Sequence, residues 1–488
     1  MHRLLGWIVN VLVATLSVLA TIVLIYALQA RRLPDLQPWH TQAPAGEMQA
    51  AELDAGFTLD RYLGREQDLF EETRTGLLQS IPLEQQLPGN RYWAQSPNYQ
   101  WLFPRDWNRS FELRPARIEG GALLLHGLTD SPYSMRAIAR ALFDRGYYVL
   151  ALRMPGHGTV PAALAQVTWQ DWMAATRLGA RAVRSQIGAD APLLMVGYSN
   201  GAALSVKHQL DALEDASLPR ADRIVLMSPM IGISPSAALA RLLGRLSFIP
   251  FFAKSAWTEV QPEFNPFKFN SFPLNGAVQT RALTEEISRG IGRLEGNGGL
   301  ARMPPILAFQ SLLDSTVSTR AVVRTLFAHL PANGSELVLF DFNRNAVFAT
   351  AFKRSDREFL RTLFDDDPRA YRLQVITNNS EHGSATVRKS IAARSREIVE
   401  HGMDVGYPRS VYSLSHIALP FPVSDPVYGL EPDYTESFGV RLGTLVLHGE
   451  HNALAVPLEQ LTRLGSNPFY PYLEQRVLQW ASATGATP

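Results

Sequence analysis

Between residues 191 and 206 the chain runs from Ala191-Pro192-Leu193-Leu194-Met195-Val196, through Gly197-Tyr198-Ser199-Asn200-Gly201, into Ala202-Ala203-Leu204-Ser205-Val206. The first run is short and continuously apolar, as a strand buried on both faces must be. The last run reads as the start of a helix. The turn between them is so tight that Ser199 takes a strained backbone conformation, and glycines two residues to either side leave room for it. Its hydroxyl then stands clear above the sheet. The bare pattern G-x-S-x-G is common enough to arise by composition, so its weight comes from lying between a strand and a helix.

The same rhythm extends along the chain. Strand-like apolar runs occur at Gly121–Leu125, Tyr148–Leu152, Leu193–Val196, Ile224–Met227 and Ile306–Phe309, with helical stretches such as Met135–Asp144 and Trp169–Ile187 between the earlier ones. Repeated alternation of this kind predicts an α/β fold: a mostly parallel sheet with helices on both faces. Glu52–Leu78 has a charged, helix-like pattern. The aromatic-rich stretch Arg91–Leu113 predicts one or two strands at a sheet edge. Two segments break the rhythm. Residues 233–300, rich in Phe, Leu and Pro, fall where an inserted cap would cover a site at the carboxyl ends of the strands; ordinary core helices are the alternative. A charged segment, about 345–410, separates the strand-like runs Glu336–Phe342 and Val411–Leu419 and reads as a second insertion. The expected organisation is an anchor over 1–32, a stalk and extension over 33–115, and the α/β domain over 116–488.

Of the 488 residues 46 are basic and 45 acidic, a formal charge of +1, so no excess field would draw the chain to nucleic acid. With no cysteine there can be no disulfide, thiolate metal site or cysteine nucleophile. The histidines show no metal-ligand spacing, and no dinucleotide or P-loop glycine pattern occurs, so no cofactor or metal is expected. From Leu4 to Leu28 there is no charged residue. As a helix this run would be about 37 Å long, against roughly 30 Å of hydrocarbon. It predicts an uncleaved N-terminal transmembrane helix and a single-pass protein of a bacterial inner membrane. A cleaved signal peptide is the competing reading. The N-terminal amine and Arg3 balance Arg31 and Arg32, so the charge rule scarcely sets the orientation; the short N-terminus before a long translocated domain favours the periplasmic side.

Further motifs cluster around Ser199. His126-Gly127-Leu128-Thr129-Asp130-Ser131-Pro132 ends the strand beginning at Gly121, Pro155-Gly156-His157-Gly158 follows the next strand, and Trp169-Gln170-Asp171-Trp172 follows that. In this order and spacing, with Gly-Tyr-Ser-Asn-Gly as the nucleophile elbow, they resemble the α/β-hydrolase superfamily, in particular its bacterial carboxylesterase and monoacylglycerol-lipase-like branch. The resemblance covers residues 117–232 and, more loosely, 300–320; before 116 it says nothing. It implies a serine hydrolase of the α/β-hydrolase fold acting on esters, with Ser199 as nucleophile and the backbone N–H groups of Leu128 and Asn200 as the oxyanion hole. His126 and His157 are then structural, holding their loops by hydrogen bonds.

The acid should follow a later strand, in the order Ser, Asp, His. Asp314, in Gln310-Ser311-Leu312-Leu313-Asp314-Ser315-Thr316-Val317, fits an Asp-x-x-Val pattern common in that branch, with Asp341 as the alternative. A compact relative would place the histidine soon after Glu336–Phe342, where this chain has none. His382, His416, His448 and His451 remain. His416 is preferred because it ends an apolar, strand-like run, whereas His382 lies in a polar loop and His448 could hold a turn. The expected activity is cleavage of carboxylic esters, amphiphilic or lipid-like ones delivered from the membrane. A peptidase or amide hydrolase with the same triad is one alternative. The other is a non-catalytic binding protein on a hydrolase scaffold.

Overall fold

The computed structural model describes residues 32–53, 56–232, 250–314, 316–341, 362–363, 368–379, 384–407, 413–444 and 463–483, with scattered positions between 6 and 21. Its strands are β1 (Phe111–Leu113), β2 (Gly120–Leu125), β3 (Tyr147–Leu152), β4 (Leu193–Tyr198), β5 (Arg223–Met227), β6 (Trp257–Glu259), β7 (Phe272–Pro273), β8 (Ile306–Ser311), β9 (Glu336–Asp341), β10 (Arg372–Asn378), β11 (Thr386–Ile391) and β12 (Ile398–Met403). Ten of them form one sheet in the order β1-β3-β2-β4-β5-β8-β9-β10-β11-β12, and β6 and β7 pair separately. Every pairing from β3 across to β10 is parallel, while β1 at one edge and β11 and β12 at the other run antiparallel to their neighbours.

The longer helices are α1 (Leu59–Glu72), α2 (Arg136–Phe143), α3 (Trp169–Ile187), α4 (Asn200–Glu214), α5 (Leu274–Gly296) and α6 (Tyr470–Ser482). Because side chains alternate across a strand, each central strand feeds two cores. Leu123, Leu150, Met195 and Leu226 pack with α3, α4 and α5 on one face. Leu124, Val149, Val196 and Val225 pack with α2 and α6 on the other. The continuous apolar runs in the sequence follow from this double burial.

Three local expectations change. Only Phe111–Leu113 of the stretch 91–113 pairs as a strand; Pro97 and Pro104 interrupt the rest, which turns, and its buried side chains such as Tyr92 and Asn98 contact the body of the fold. Residues 250–300, expected as a cap, divide in function. The β6–β7 pair and its connection lie over the strand ends, whereas Leu283, Ile287, Ile291 and Leu294 of α5 belong to the main core. The remainder of that segment, 233–249, lies outside the described residues. Within the second expected insertion, residues 372–403 lengthen the sheet by three strands rather than forming a separate unit.

Residues 33–115 do not stand off as a stalk. The guanidinium of Arg153, just past β3, is fully buried between Glu47 at 3.0 Å and Glu66 at 3.1 Å. The hydroxyl of Tyr62 on α1 donates to the Arg153 carbonyl at 2.6 Å, and Glu66 accepts both the N–H and the hydroxyl of Ser110 at 2.8 Å. The membrane anchor expected over Leu4–Leu28, and with it the single-pass inner-membrane location, must be corrected. A spanning helix needs about 20 unbroken apolar residues, and among the described residues no helix is long and apolar enough to cross a membrane. Most of that run lies outside the described residues.

Candidate active site

Ser199 sits alone between the end of β4 and the start of α4, with φ 53° and ψ −113°. A non-glycine residue rarely adopts such a backbone without outside support. Support comes from the neighbouring strand: the Ser199 N–H donates to the Met227 carbonyl at 2.9 Å, and the Met230 N–H donates to the Ser199 carbonyl at 3.2 Å. A Cβ on Gly197 would lie 2.4 Å from the Gly201 carbonyl oxygen, and one on Gly201 only 2.0 Å from that of Leu125. The two glycines thus let α4 start against β2 and β4, aiming Ser199 out of the sheet.

The structure brings Ser199, His416 and Asp314 into one hydrogen-bonded line. His416 Nδ1 lies 2.8 Å from Asp314 Oδ2, and His416 Nε2 lies 3.0 Å from Ser199 Oγ. With Nδ1–H donated to the carboxylate, Nε2 is left bare to accept the serine proton. Asp314 follows β8 in a tight turn in which its Oδ1 accepts the N–H groups of Thr316 and Val317 at 2.8 and 2.9 Å. Its Oδ2 also takes an N–H of Gln310 at 3.1 Å. Burial alone would raise the carboxyl pKa. The charge and hydrogen bond of His416, with the Val317 and Thr316 amides, outweigh burial and hold Asp314 below the ordinary carboxylate value. The alternative acid, Asp341, is the buried last residue of β9.

His416 itself does not end a strand. It opens a 3₁₀ turn, His416–Ala418, and no residue from 413 to 419 pairs in a sheet; the prolines at 420 and 422 and the turn bond from Ala418 N–H to the Ser415 carbonyl account for this. The turn is pinned from both sides. The Ser415 hydroxyl donates to the Leu464 carbonyl, and the chain beyond it is clamped at Asp425. That carboxylate accepts the Tyr133 hydroxyl and the N–H groups of Val427 and Tyr428, each at 2.9 Å. Tyr133 in turn stacks on Phe267 at 4.0 Å between ring centres. Sequence reasoning missed Gln310, Asp425 and Tyr133, and no short-range pattern would have found a Tyr–Asp contact spanning 292 residues. His382, His448 and His451 lie outside the described residues.

Leu128 and Asn200 flank Ser199. Asn200 is the first residue of α4, where amides have no intrahelical acceptor and the helix dipole favours negative charge. Leu128 follows Gly127, where an added Cβ would come within 3.3 Å of Ser199 Cβ. Neither amide donates a hydrogen bond to another described residue. His126 and His157 stand behind this loop. His126 Nδ1–H donates to the Gly127 carbonyl at 2.8 Å, and its Nε2 accepts the Met154 N–H at 3.0 Å. Both ring nitrogens are therefore committed to the neutral form.

Burial, and the neighbouring His157, hold His126 well below the ordinary imidazole pKa; burial holds His157 at about 4. Below pH 6.5 the unfolded chain takes up protons that these buried rings refuse, so their stability contribution is complete above 6.5 and falls as pH drops below it, for His157 down to about 4. For His157 the loss between pH 7.5 and 5.0 is about 2 kcal/mol. Asp130, lifted to about 6 chiefly by burial, acts with the opposite sign. Urea denaturation of the wild type and of His157→Gln at both pH values isolates the histidine. The variant should show a pH difference smaller by about 2 kcal/mol, and equal differences would refute the assignment.

Above the serine opens a cavity of about 400 Å³ whose apolar side is formed by Leu128, Phe264, Phe269, Phe272, Phe421 and Leu442. Ser199 and His416 both line it. Among the described residues no three His, Asp or Glu side chains are grouped to hold a metal ion.

Residues 117–341, a little under half of the chain, match the family model described as serine aminopeptidase, S33 (Hydrolase_4). Over 59 residues the chain is 42% identical to a thermostable monoacylglycerol lipase of Bacillus sp. (strain H-257); the match takes in 12% of this chain and 24% of that lipase, about a quarter of its length. A solved structure from work on the metagenome-derived lipolytic enzymes LipS and LipT shares 22% identity at a TM-score of 0.38, covering 52% of this chain and 98% of that one. The monoacylglycerol lipase of Paleococcus ferrophilus shares 17% identity at 0.35, covering 52% and 95%. At such scores these likenesses add nothing to the fold read from the sheet itself.

Proposed function

We propose that this chain, an α/β-hydrolase of the serine hydrolase class, cleaves carboxylic esters through a covalent acyl-enzyme formed on Ser199. The observation that carries this reading is the unbroken line Asp314–His416–Ser199, whose Ser199 and His416 line the cavity. A serine hydroxyl is a weak nucleophile until a base takes its proton. His416 Nε2 takes it as Oγ attacks the ester carbonyl, and Asp314 holds the ring in the required tautomer and stabilises the imidazolium. The negative oxygen of the tetrahedral intermediate is received by the amides of Leu128 and Asn200; one such donor is typically worth about 3 kcal/mol of barrier lowering. The imidazolium then protonates the departing alcohol. Water then attacks the acyl carbonyl, giving a proton to His416; the acyl–Oγ bond breaks, the acid leaves, and His416 returns the proton to Ser199 Oγ.

The phenylalanine-lined wall suits the acyl chain of an amphiphilic ester, and the lipase match over residues of this chain points the same way. A second reading, hydrolysis of aminoacyl amides, is favoured by the match to the serine aminopeptidase model. Labelling with a fluorophosphonate, followed by a panel of p-nitrophenyl esters of increasing acyl length, monoacylglycerols and aminoacyl anilides, decides between them. We expect labelling and turnover of esters above anilides. Preferred turnover of anilides would replace the ester reading by the peptidase one, and absence of both labelling and turnover would leave a binding protein.

A further inference from the structure

Four charged side chains share the cavity with Ser199: Asp130, Glu259, Lys268 and Arg463. Asp130 is engaged by its own loop, accepting the Ser131 N–H at 2.8 Å. Lys268 differs from the others. Its ammonium makes neither a hydrogen bond nor an ion pair with any described residue, although Asp130 and Glu259 attract it and Arg463 repels it from a distance. Burial pulls its pKa below the ordinary lysine value, so the group is partly stripped of water without a contact partner in exchange.

Lys268 is half-buried, and its backbone is fixed on both sides. The Phe269 N–H donates to the Thr129 carbonyl at 2.8 Å, tying this segment to the loop that carries Leu128. The buried guanidinium of Arg91 donates to the Lys268 carbonyl at 3.3 Å, and Phe267 and Phe269 on either side are buried. A half-buried cation on the cavity wall, with no contact partner of its own, is placed to meet an anionic group that enters the cavity. The apolar wall in the same cavity takes the hydrocarbon part of that ligand.

We infer that Lys268 is a specificity-determining residue that receives an anionic oxygen group, carboxylate or phosphate, at the end of the substrate remote from the scissile ester. The preferred substrate is then an acidic ester with an apolar connecting chain. This inference rests on the ester-hydrolase reading, and its test separates the two. Monomethyl adipate and methyl hexanoate present the same ester and chain length with and without a terminal carboxylate; 1-butyrylglycerol 3-phosphate and 1-butyrylglycerol do the same for phosphate. Acid release is followed at constant pH.

The wild type should favour the acidic member of at least one pair by about tenfold or more in kcat/KM, as one desolvated charge contact would give. In Lys268→Met that ratio should fall to near one or below, and in Lys268→Arg it should largely survive. Because each ratio compares two substrates on one enzyme, losses of folded protein cancel; Lys268→Gln serves if Lys268→Met does not fold. Which pair responds identifies carboxylate or phosphate. A wild-type preference for both neutral esters, a ratio unchanged in Lys268→Met, or faster cleavage of aminoacyl substrates with a free ammonium would overturn the inference while leaving a hydrolase. No turnover of any substrate, with no labelling of Ser199, would instead overturn the hydrolase reading and this inference with it.

Discussion

Ser199→Ala should lower ester turnover by roughly five to six orders of magnitude and abolish fluorophosphonate labelling, with the fold intact. The substitution removes one oxygen from a residue whose amide and carbonyl are both held by the neighbouring chain, at Met227 and Met230. Nothing that supports the elbow depends on the hydroxyl. The residual rate should exceed that in water if, as proposed, the Leu128 and Asn200 amides receive the oxyanion. A companion variant tests the strain itself. At φ 53° a side chain is costly and glycine is not, so Ser199→Gly should be as inactive as Ser199→Ala yet more stable by about 1 kcal/mol. Labelling that persists in both variants would mean that another serine is the nucleophile.

His416→Ala should cost nearly as much in kcat as Ser199→Ala, and the double variant should be scarcely worse than either, since the members of a triad act as one unit. Asp314→Asn should cost about 10⁴-fold with little structural change: the amide can offer an N–H to His416 Nδ1, and the ring then presents its proton toward Ser199 instead of a lone pair. Among His382, His416, His448 and His451, substitution by alanine should collapse kcat at His416 alone. A near-normal kcat for His416→Ala with collapse at one of the others would move the base there, and the 2.8 and 3.0 Å contacts of His416 would then be structural.

Much of this arrangement was legible in the sequence where the cause is local. The elbow could be read because two glycines, a strand and a helix meet within a dozen residues. Asp314 could be read because it follows a buried strand downstream of the elbow and stands in the Asp-x-x-Val pattern of the branch the chain resembles. His416 was harder. Three sheet strands, β10 to β12, intervene between the last strand of the compact pattern and the turn that bears it. The residue was singled out for ending a strand, yet the structure puts it in a 3₁₀ turn whose position depends on contacts with Leu464 and Asp425. The stretch 91–113 was misread for a similar reason. Its aromatic residues have strand propensity, but they are spent on packing against the body of the fold, and prolines deny them a ladder. Tyr133 and Lys268 owe their surroundings to partners far away in the chain, so single-sequence patterning has no purchase on them; Gln310 lies only four residues from Asp314, but nothing in its residue type marks that contact.

The buried ion group at Arg153 bears on where this protein can be divided. The match to the family model opens at residue 117, but the counter-charges of Arg153, Glu47 and Glu66, precede it, as does β1, which closes one edge of the sheet beside β3. A chain begun at 117 would strand a guanidinium in the interior, a loss of about 3–5 kcal/mol, and bare the β3 edge as well. The segment that matches the family model is therefore smaller than the segment that folds. The described residues between Glu47 and Leu113 act as a built-in brace, and a variant that keeps an arginine at 153 must keep both acidic partners or exchange all three together.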